Sequence, residues 1–130
     1  MHILLLRIRE IYRPYINNLN TTLSGTMKLA NRFKRLVEKN FMEVREVSQY
    51  ARMLNISPGH LSQVVKSETG LSPRKIINNM LLLESRVLLG STDKTISEIA
   101  HLLRFEDQAH FHHFIRQQAG FTPTELRKKL

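Results

Sequence analysis

The chain has 130 residues, of which 42% are hydrophobic, with a net charge of +9 and no cysteine. This length and composition predict one compact unit or two small subdomains with a real core, and the lack of cysteine excludes disulfides and thiolate metal sites. No run is long enough for a signal peptide or a membrane span, so a cytoplasmic protein is expected. The positive charge suggests a polyanionic partner, but residues 1–40 carry +6 and residues 41–130 only +3.

The N-terminal 26 residues are predicted to stand apart from the rest of the chain. Residues 1–13 have the pattern of a short amphipathic helix that Pro14 would terminate, and residues 15–26 are rich in Asn, Thr, Ser and Gly, as linkers are. This piece, too small for its own core, is interpreted either as the remnant of an upstream domain or as a helix that packs on a partner. Membrane association is disfavoured because the helix is short and the linker is not polybasic.

The first convincing helix is predicted over residues 27–40. Its apolar residues share one side, as a helix packed on a core requires: Leu29, Phe33, Leu36 and Val37. Basic side chains recur on the other side at Lys28, Arg32, Arg35 and Lys39. This stripe is either a solvated face or a set of phosphate contacts, for which Arg32, Arg35 and Lys39 are the candidates.

Two stretches, residues 45–68 and 95–123, each have the pattern of a helix-turn-helix. In the second stretch the pattern predicts a helix over 96–103, a turn over 104–106 and another helix over 107–119. Apolar residues recur at helical spacing in each predicted helix, and small and apolar residues stand where the helices should cross and turn. Such a unit leaves one polar face free.

Between the two stretches, Pro73–Leu89 is predicted to form a long helix that Gly90 and residues 91–93 end. Its length corresponds to a spacer of about 26 Å at about 1.5 Å per residue. The residues predicted to face inward are Ile76, Ile77, Met80, Leu83, Val87 and Leu88.

Helix starts are marked by hydroxyl residues at expected N-cap positions. Each of Ser57, Ser72 and Thr122 precedes a proline, which suits the first turn of a helix. Capping boxes are predicted for Thr95 with Glu98 and for Thr122 with Glu125.

The two stretches are copies of each other. The apolar pattern from Val47 to Ile56 recurs 49 residues later, and the pattern from Leu61 to Pro73 recurs 50 residues later, so one residue is inserted in the second turn. A single helix-turn-helix pattern is a weak signal because many amphipathic helix pairs imitate it. Two in register, joined by a helix, form a specific signal.

On these residues the chain resembles the DNA-binding domain of the AraC/XylS family of bacterial transcription regulators, over about residues 27–130. The match lies in AxxLNISPxxLSxxxKxxTGLSP in the first stretch and IAHLLRFEDQAHFHHFIRQQAGFTPTELR in the second.

Five positions depart from the family's pattern. Arg104 replaces a usual glycine, Leu81 an arginine and Ala109 a serine, while Val65 and Ala119 replace aromatic residues. Arg104 matters most, because a non-glycine residue in a left-handed turn costs roughly 1–2 kcal/mol. The second turn is therefore expected to differ in shape, or its unit to be less stable.

The resemblance implies an all-α fold of about seven helices, with homeodomain-like helix-turn-helix subdomains at 27–72 and 91–130 joined by a linker helix at 73–90. The second helix of each motif would enter a major groove of double-stranded DNA, the two grooves lying about 34 Å apart. The DNA-binding residues are expected to be Gly59, Ser62, Gln63 and Lys66 in the first motif, and Gln108, Ala109, His112, His113 and Arg116 in the second.

Gln63, Gln108 and His113 are the expected base contacts, and Lys66 and Arg116 are expected to bind phosphate, because Gln can pair bidentately with adenine whereas Lys and Arg often neutralise the backbone. The alternative for both sets is a polar solvated face.

Sequence-specific DNA binding for transcription regulation is thus the implied function. RNA polymerase and dimerisation through an upstream sensor or dimerisation domain are further implied partners, and no cofactor is expected. No enzyme signature is present, and His110 and His113 lack the further ligands that zinc requires. The alternative is a helical protein-interaction module of the same fold that no longer binds DNA, favoured by the near-neutral first motif and by Arg104.

Overall fold

The computed structural model describes residues 24–130, so the helix predicted over residues 1–13 and most of the linker predicted over 15–26 lie outside the described residues. Seven helices and no strand occur in the part that is described. They are α1 (Gly25–Asn40), α2 (Val47–Met53), α3 (Pro58–Thr69), α4 (Pro73–Ser91), α5 (Ile96–Leu102), α6 (Gln108–Ala119) and α7 (Pro123–Lys129). This confirms the predicted all-α class.

Helices α1–α3 form a first subdomain and α5–α7 a second, and α4 packs against members of both. The helix-turn-helix units are α2–α3 and α5–α6, as predicted. Their buried side chains join in a single core that also includes the inner face of α4. The two subdomains are therefore packed on a common helix rather than strung on a flexible linker.

Helix α1 begins two residues before the predicted start at Met27. The Ser24 hydroxyl accepts a hydrogen bond from the Met27 backbone N–H at 3.3 Å, which caps the first turn. The Thr26 hydroxyl also donates to a Glu68 carboxylate oxygen at the end of α3, at 2.8 Å. The last two residues of the predicted linker are therefore helical.

Helix α4 corrects two details of the prediction. It continues through Gly90 to Ser91, two residues beyond the predicted end. Leu83, predicted to face inward, is 40% exposed, whereas Leu81 is only 3% exposed. The buried positions of this helix are Pro73, Ile77, Leu81, Glu84, Ser85 and Leu89. Because α4 is apolar on several sides, periodicity alone could not select the face that packing buries.

The buried face of α4 carries two polar side chains. The Ser85 hydroxyl donates to the Leu81 carbonyl at 2.7 Å and is satisfied within the helix. Glu84 is 7% exposed, and its Oε2 atom has no hydrogen-bond partner among residues 24–130. Burying a carboxylate oxygen without a partner costs free energy, so the inner face of α4 is not optimised for stability.

The predicted N-caps are confirmed by hydrogen bonds of 3.1–3.2 Å from a backbone N–H to each hydroxyl of Ser57, Ser72, Thr95 and Thr122. Thr95 and Glu98 form a complete capping box. At Thr122 the hydroxyl donates to the Glu125 carboxylate at 3.1 Å as well as accepting from the Glu125 N–H. This is a variant of the box predicted there.

Candidate nucleic-acid interface

The second helix of each unit, α3 in the first and α6 in the second, is held by one apolar side. Leu61, Val64 and Val65 are buried on α3. Phe111 and Ile115 are buried at the equivalent positions of α6, and Phe114 is half-buried. Both helices therefore turn their other side away from the core.

Helices α3 and α6 end in the same way but have different N-cap residues. Both end at a glycine in the left-handed conformation, Gly70 with φ 77° and Gly120 with φ 79°, as helix C-caps commonly do. Helix α3 starts at a serine cap. Helix α6 starts at Gln108, one residue later than predicted, because Asp107 is its cap and accepts from the His110 N–H at 2.9 Å.

The two turns have the same backbone, which corrects the expectation that Arg104 alters the shape of the second. Asn55 has φ 58° and Arg104, 49 residues later, has φ 60°. Each is followed by the same closing hydrogen bond, from the Ile56 N–H to the Ala51 carbonyl at 3.0 Å and from Phe105 to Ala100 at 2.9 Å. The inserted residue is accommodated after this turn, between Phe105 and the cap of α6.

The residues expected to contact DNA lie on the free sides of α3 and α6. Register positions Gly59, Ser62, Gln63 and Lys66 on α3 correspond to Ala109, His112, His113 and Arg116 on α6, and Gln108 opens α6. All of these residues are exposed except Ser62, which is half-buried. An open depression of about 390 Å³ is lined by Gln108, Ala109 and His112. The structure thus brings each predicted set together on one helix face.

The start of α6 carries a titratable cluster that α3 does not have. The His110 ring contacts the Asp107 carboxylate through Nδ1 at 2.8 Å and the Glu106 carboxylate through Nε2 at 3.3 Å. The hydrogen bond to Asp107 raises the pKa of His110 above 6.5, with a smaller contribution from Glu106. The hydrogen bond from the His110 backbone lowers the pKa of Asp107 below 3.8. When it is protonated, the imidazole therefore offsets acidic charge at this end of the face.

The basic stripe of α1 belongs to the first subdomain, where α1 packs along α3. Lys28, Arg32 and Lys39 are exposed and Arg35 is half-buried. These cations therefore belong to the same subdomain as α3. Near its C-terminal end, α3 itself carries the charged residues Lys66 and Glu68. They remain candidates for phosphate contacts.

Arg45, between α1 and α2, is a residue that sequence reasoning missed. Its Nη2 atom donates to the Leu103 carbonyl in the turn of the second unit, and its guanidinium lies 5.0 Å from the centroid of the Phe105 ring. The partners are 58 residues apart in the chain. In the sequence, Arg45 is visible only as a basic residue next to a predicted helix. No local pattern indicates that it contacts a carbonyl so far along the chain.

Within residues 24–130, no helix is long and apolar enough to cross a membrane. The same part of the chain holds no cluster of three or more His, Asp or Glu side chains arranged to hold a metal ion.

Comparison with known proteins connects this geometry to a family. A model of the helix-turn-helix domain family matches residues 50–129. The HTH-type transcriptional activator RhaS of Enterobacter sp. (strain 638) is 30% identical over 98 residues, which cover 75% of this chain and 35% of RhaS. The chain therefore spans about a third of the length of this curated relative.

Two solved structures share the fold closely. The C-terminal domain of AraT, a response regulator from Geobacillus stearothermophilus, superposes with a TM-score of 0.73 at 26% identity, covering 82% of this chain and 89% of that domain. A transcriptional regulator from Chromobacterium violaceum, described as an AraC-type DNA-binding domain-containing protein, gives 0.69 at 26% identity over 82% of this chain and 96% of its own.

Proposed function

The chain belongs to the AraC/XylS family of transcription regulators, and from this premise we propose that it binds double-stranded DNA sequence-specifically to regulate transcription. Helices α3 and α6 would be its recognition helices and would enter successive major grooves on one side of the duplex, about 34 Å apart. One observation carries the proposal. Two helices with equivalent scaffolds each place the same four register positions on the side away from the core, and at three of the four the side chain is polar in both helices.

The side chains on these faces are of two kinds, those suited to base edges and those suited to phosphates. Gln63, Gln108 and His113 have groups that can hydrogen-bond base edges, and Gln pairs bidentately with adenine. Lys66 and Arg116 lie one turn further along and suit phosphate oxygens. Gly59 and Ala109 allow close approach, and Ser62 and His112 complete the two faces. The α1 cations Arg32, Arg35 and Lys39 would add phosphate contacts beside the first groove.

The two faces differ in sequence, which predicts a non-palindromic site for each chain. Selection of bound duplexes from a random pool would define that site, and footprinting would then show protection of two adjacent major grooves. Protection limited to a single groove would contradict binding by both helices.

Variants on α3 separate base contacts from phosphate contacts. Gln63→Ala should relax preference at one base position by about 1–3 kcal/mol while leaving the others unchanged. Lys66→Ala should weaken all sequences alike and reduce the slope of log affinity against log salt by about 1. Arg86→Ala, on the exposed side of α4, is the matched control for removal of one positive charge and should leave the slope near wild type.

The same measurements separate DNA binding from the alternative function. A helical protein-interaction module that no longer binds DNA would show no steep dependence of random-duplex mobility shifts on salt, because only neutralisation of phosphates releases counterions. RNA polymerase as a partner, dimerisation through an upstream sensor or dimerisation domain, and a cytoplasmic location belong to the same proposal. So do the domain division at 27–72, 73–90 and 91–130 and the interpretation of residues 1–26 either as a remnant of an upstream domain or as a helix that packs on a partner. Membership of a family of transcription regulators is the support for the partners and the location.

A further inference from the structure

The loop between α1 and α2 carries an arginine whose guanidinium contacts both subdomains. On its own side, Arg45 donates from Nε to the Phe41 carbonyl and from Nη2 to the Met42 carbonyl, both at 3.4 Å. These are long hydrogen bonds, so their role is to orient the planar group rather than to add much stability. The side chain is half-buried and also reaches the turn of the second helix-turn-helix unit.

Arg45 also makes two contacts with the second subdomain. Its Nη2 atom donates to the Leu103 carbonyl, and its face stacks on the Phe105 ring at 5.0 Å from the centroid. Beside it, an ion pair joins Glu43 to Arg104 at 3.6 Å, with both side chains mostly exposed. An exposed pair of this kind contributes little, so Arg45 is the main element of this direct contact.

Arg45 connects the packed interiors of both subdomains. Phe105 packs on Phe111 and Phe114 of α6, with ring centroids 5.2 and 5.3 Å apart. In the first subdomain, the Tyr50 hydroxyl donates to the Val44 carbonyl at 2.7 Å, which ties the Arg45 loop to α2. A displacement of Arg45 would therefore move Phe105 and, through it, the side chains of α6 that pack on this ring.

An arginine suits this position better than any other cation. Its planar fork can serve several carbonyls at once while its face covers an aromatic ring, which a lysine ammonium cannot do. Burial lowers the pKa of Arg45, and the nearby Arg104 lowers it further. The group nevertheless stays charged at neutral pH, because an arginine side chain in a protein is effectively always protonated.

We propose that Arg45 is a positioning residue that sets the orientation of α6 relative to α3, and thereby the separation of the two DNA half-sites that the chain accepts. The second clause rests on the proposed function, in which both helices bind DNA; the first does not. Helix α4 packs against both subdomains, and Arg45 supplies a further point of attachment at the turn that leads into α6.

Changing the separation of the two DNA half-sites tests whether Arg45 fixes the orientation of α6 relative to α3. Each added base pair rotates one half-site by about 35° around the duplex axis and moves it by about 3.4 Å. A rigid pair of recognition helices should reject that change, and a pair free to pivot should tolerate it.

The first experiment measures orientation without DNA. The chain has no cysteine, so Ser67→Cys on α3 and Gln117→Cys on α6 give two unique sites for nitroxide labels. Double electron-electron resonance should show one narrow distance distribution for the otherwise wild-type chain and a broader or shifted one for Arg45→Ala and Arg45→Lys. Glu43→Ala, in the same loop and contact, is the matched control and should keep the narrow distribution.

The second experiment uses duplexes that carry the selected half-sites at the selected spacing and with one base pair added or removed. Wild type should lose roughly tenfold in affinity on either change, the scale of one charge-assisted hydrogen bond. Arg45→Ala and Arg45→Lys should lose less, with base preference inside each half-site unchanged.

The outcomes separate this inference from the proposed function. If wild type binds no DNA, the proposed function fails, and the distance distributions alone decide whether Arg45 orients α6. If wild type binds with strict spacing and both Arg45 variants match it in spacing and distance, the inference is overturned while the function stands. A uniform loss of affinity in folded Arg45→Lys, with unchanged spacing dependence and a narrow distribution, would also overturn it.

Discussion

The two helix-turn-helix units share one backbone and differ in the side chains that support it. The first turn has Asn55 in the left-handed conformation and the second has Arg104, with φ values within a few degrees. Helix α3 is capped by a serine hydroxyl and helix α6 by an aspartate that also binds a histidine. Backbone hydrogen bonds and buried apolar positions thus define the unit, and the caps and turn residues can vary around them.

The comparison also shows where an insertion can be tolerated. The extra residue of the second unit lies after the closing hydrogen bond of the turn and before the cap of α6, in a segment without helical hydrogen bonds to break. Phe105 then packs on α6 and receives the guanidinium of Arg45. The second turn differs from the first mainly in what contacts it.

The largest expected effect comes from truncating the buried apolar side chain that holds α3 or α6 on the core. Phe111→Ala should cost about 3–5 kcal/mol and Leu61→Ala about 2–5 kcal/mol, because each side chain is fully buried. Since one core runs through both subdomains and α4, each variant should show a single urea unfolding transition by circular dichroism.

Leu102→Ala, at a position 43% exposed, is the control and should change the free energy of unfolding by less than about 0.5 kcal/mol. Two separate transitions, of which only that of the mutated subdomain is shifted, would contradict this prediction. They would show that the two units unfold independently.

A smaller effect is expected at the left-handed turn residues. Arg104→Gly should stabilise the chain by about 1 kcal/mol, because it relieves a conformation that costs a non-glycine residue roughly 1–2 kcal/mol while losing only an exposed ion pair. Asn55→Gly should gain less, since asparagine tolerates this region better. Urea denaturation of both variants measures the difference, and an equal gain at the two sites would contradict it.

The smallest effect concerns pH and distinguishes the two caps. The raised pKa of His110 means that its contribution to stability is complete below 6.5 and is lost as pH rises through the folded-state value. The lowered pKa of Asp107 means that its contribution is complete above 3.8 and is lost as pH falls through its folded-state value. The pair should therefore stabilise α6 fully between these two ordinary values.

NMR titration of the His110 imidazole should give a pKa above 6.5 in wild type and a lower one in Asp107→Ser, which copies the cap of the first unit. Urea denaturation of Asp107→Ser should also show less change in stability between pH 6 and 8 than wild type. A His110 titration that is the same in both proteins would exclude the contact with Asp107 in solution.

Much of the fold was predictable because its signals are local. Caps such as Ser57 and Thr95 act on residues within the same turn, and helical spacing of apolar residues identified the helix-turn-helix units and the linking helix. The predicted residues of the candidate interface also fell on common faces, since positions three, four and seven apart share one side of a helix. Their contacts with DNA stay predictions.

The sequence by itself determined the helices, the internal repeat and the polar faces, all of which depend on hydrogen bonds and spacing within a few residues. The tertiary structure decided which side of α4 is buried, placing Leu81 inside and Leu83 outside. It also decided that Arg45 reaches the Leu103 carbonyl, and that Glu84 is enclosed. These features depend on how distant surfaces meet, and the periodicity of one helix carries no information about the surface that will cover it.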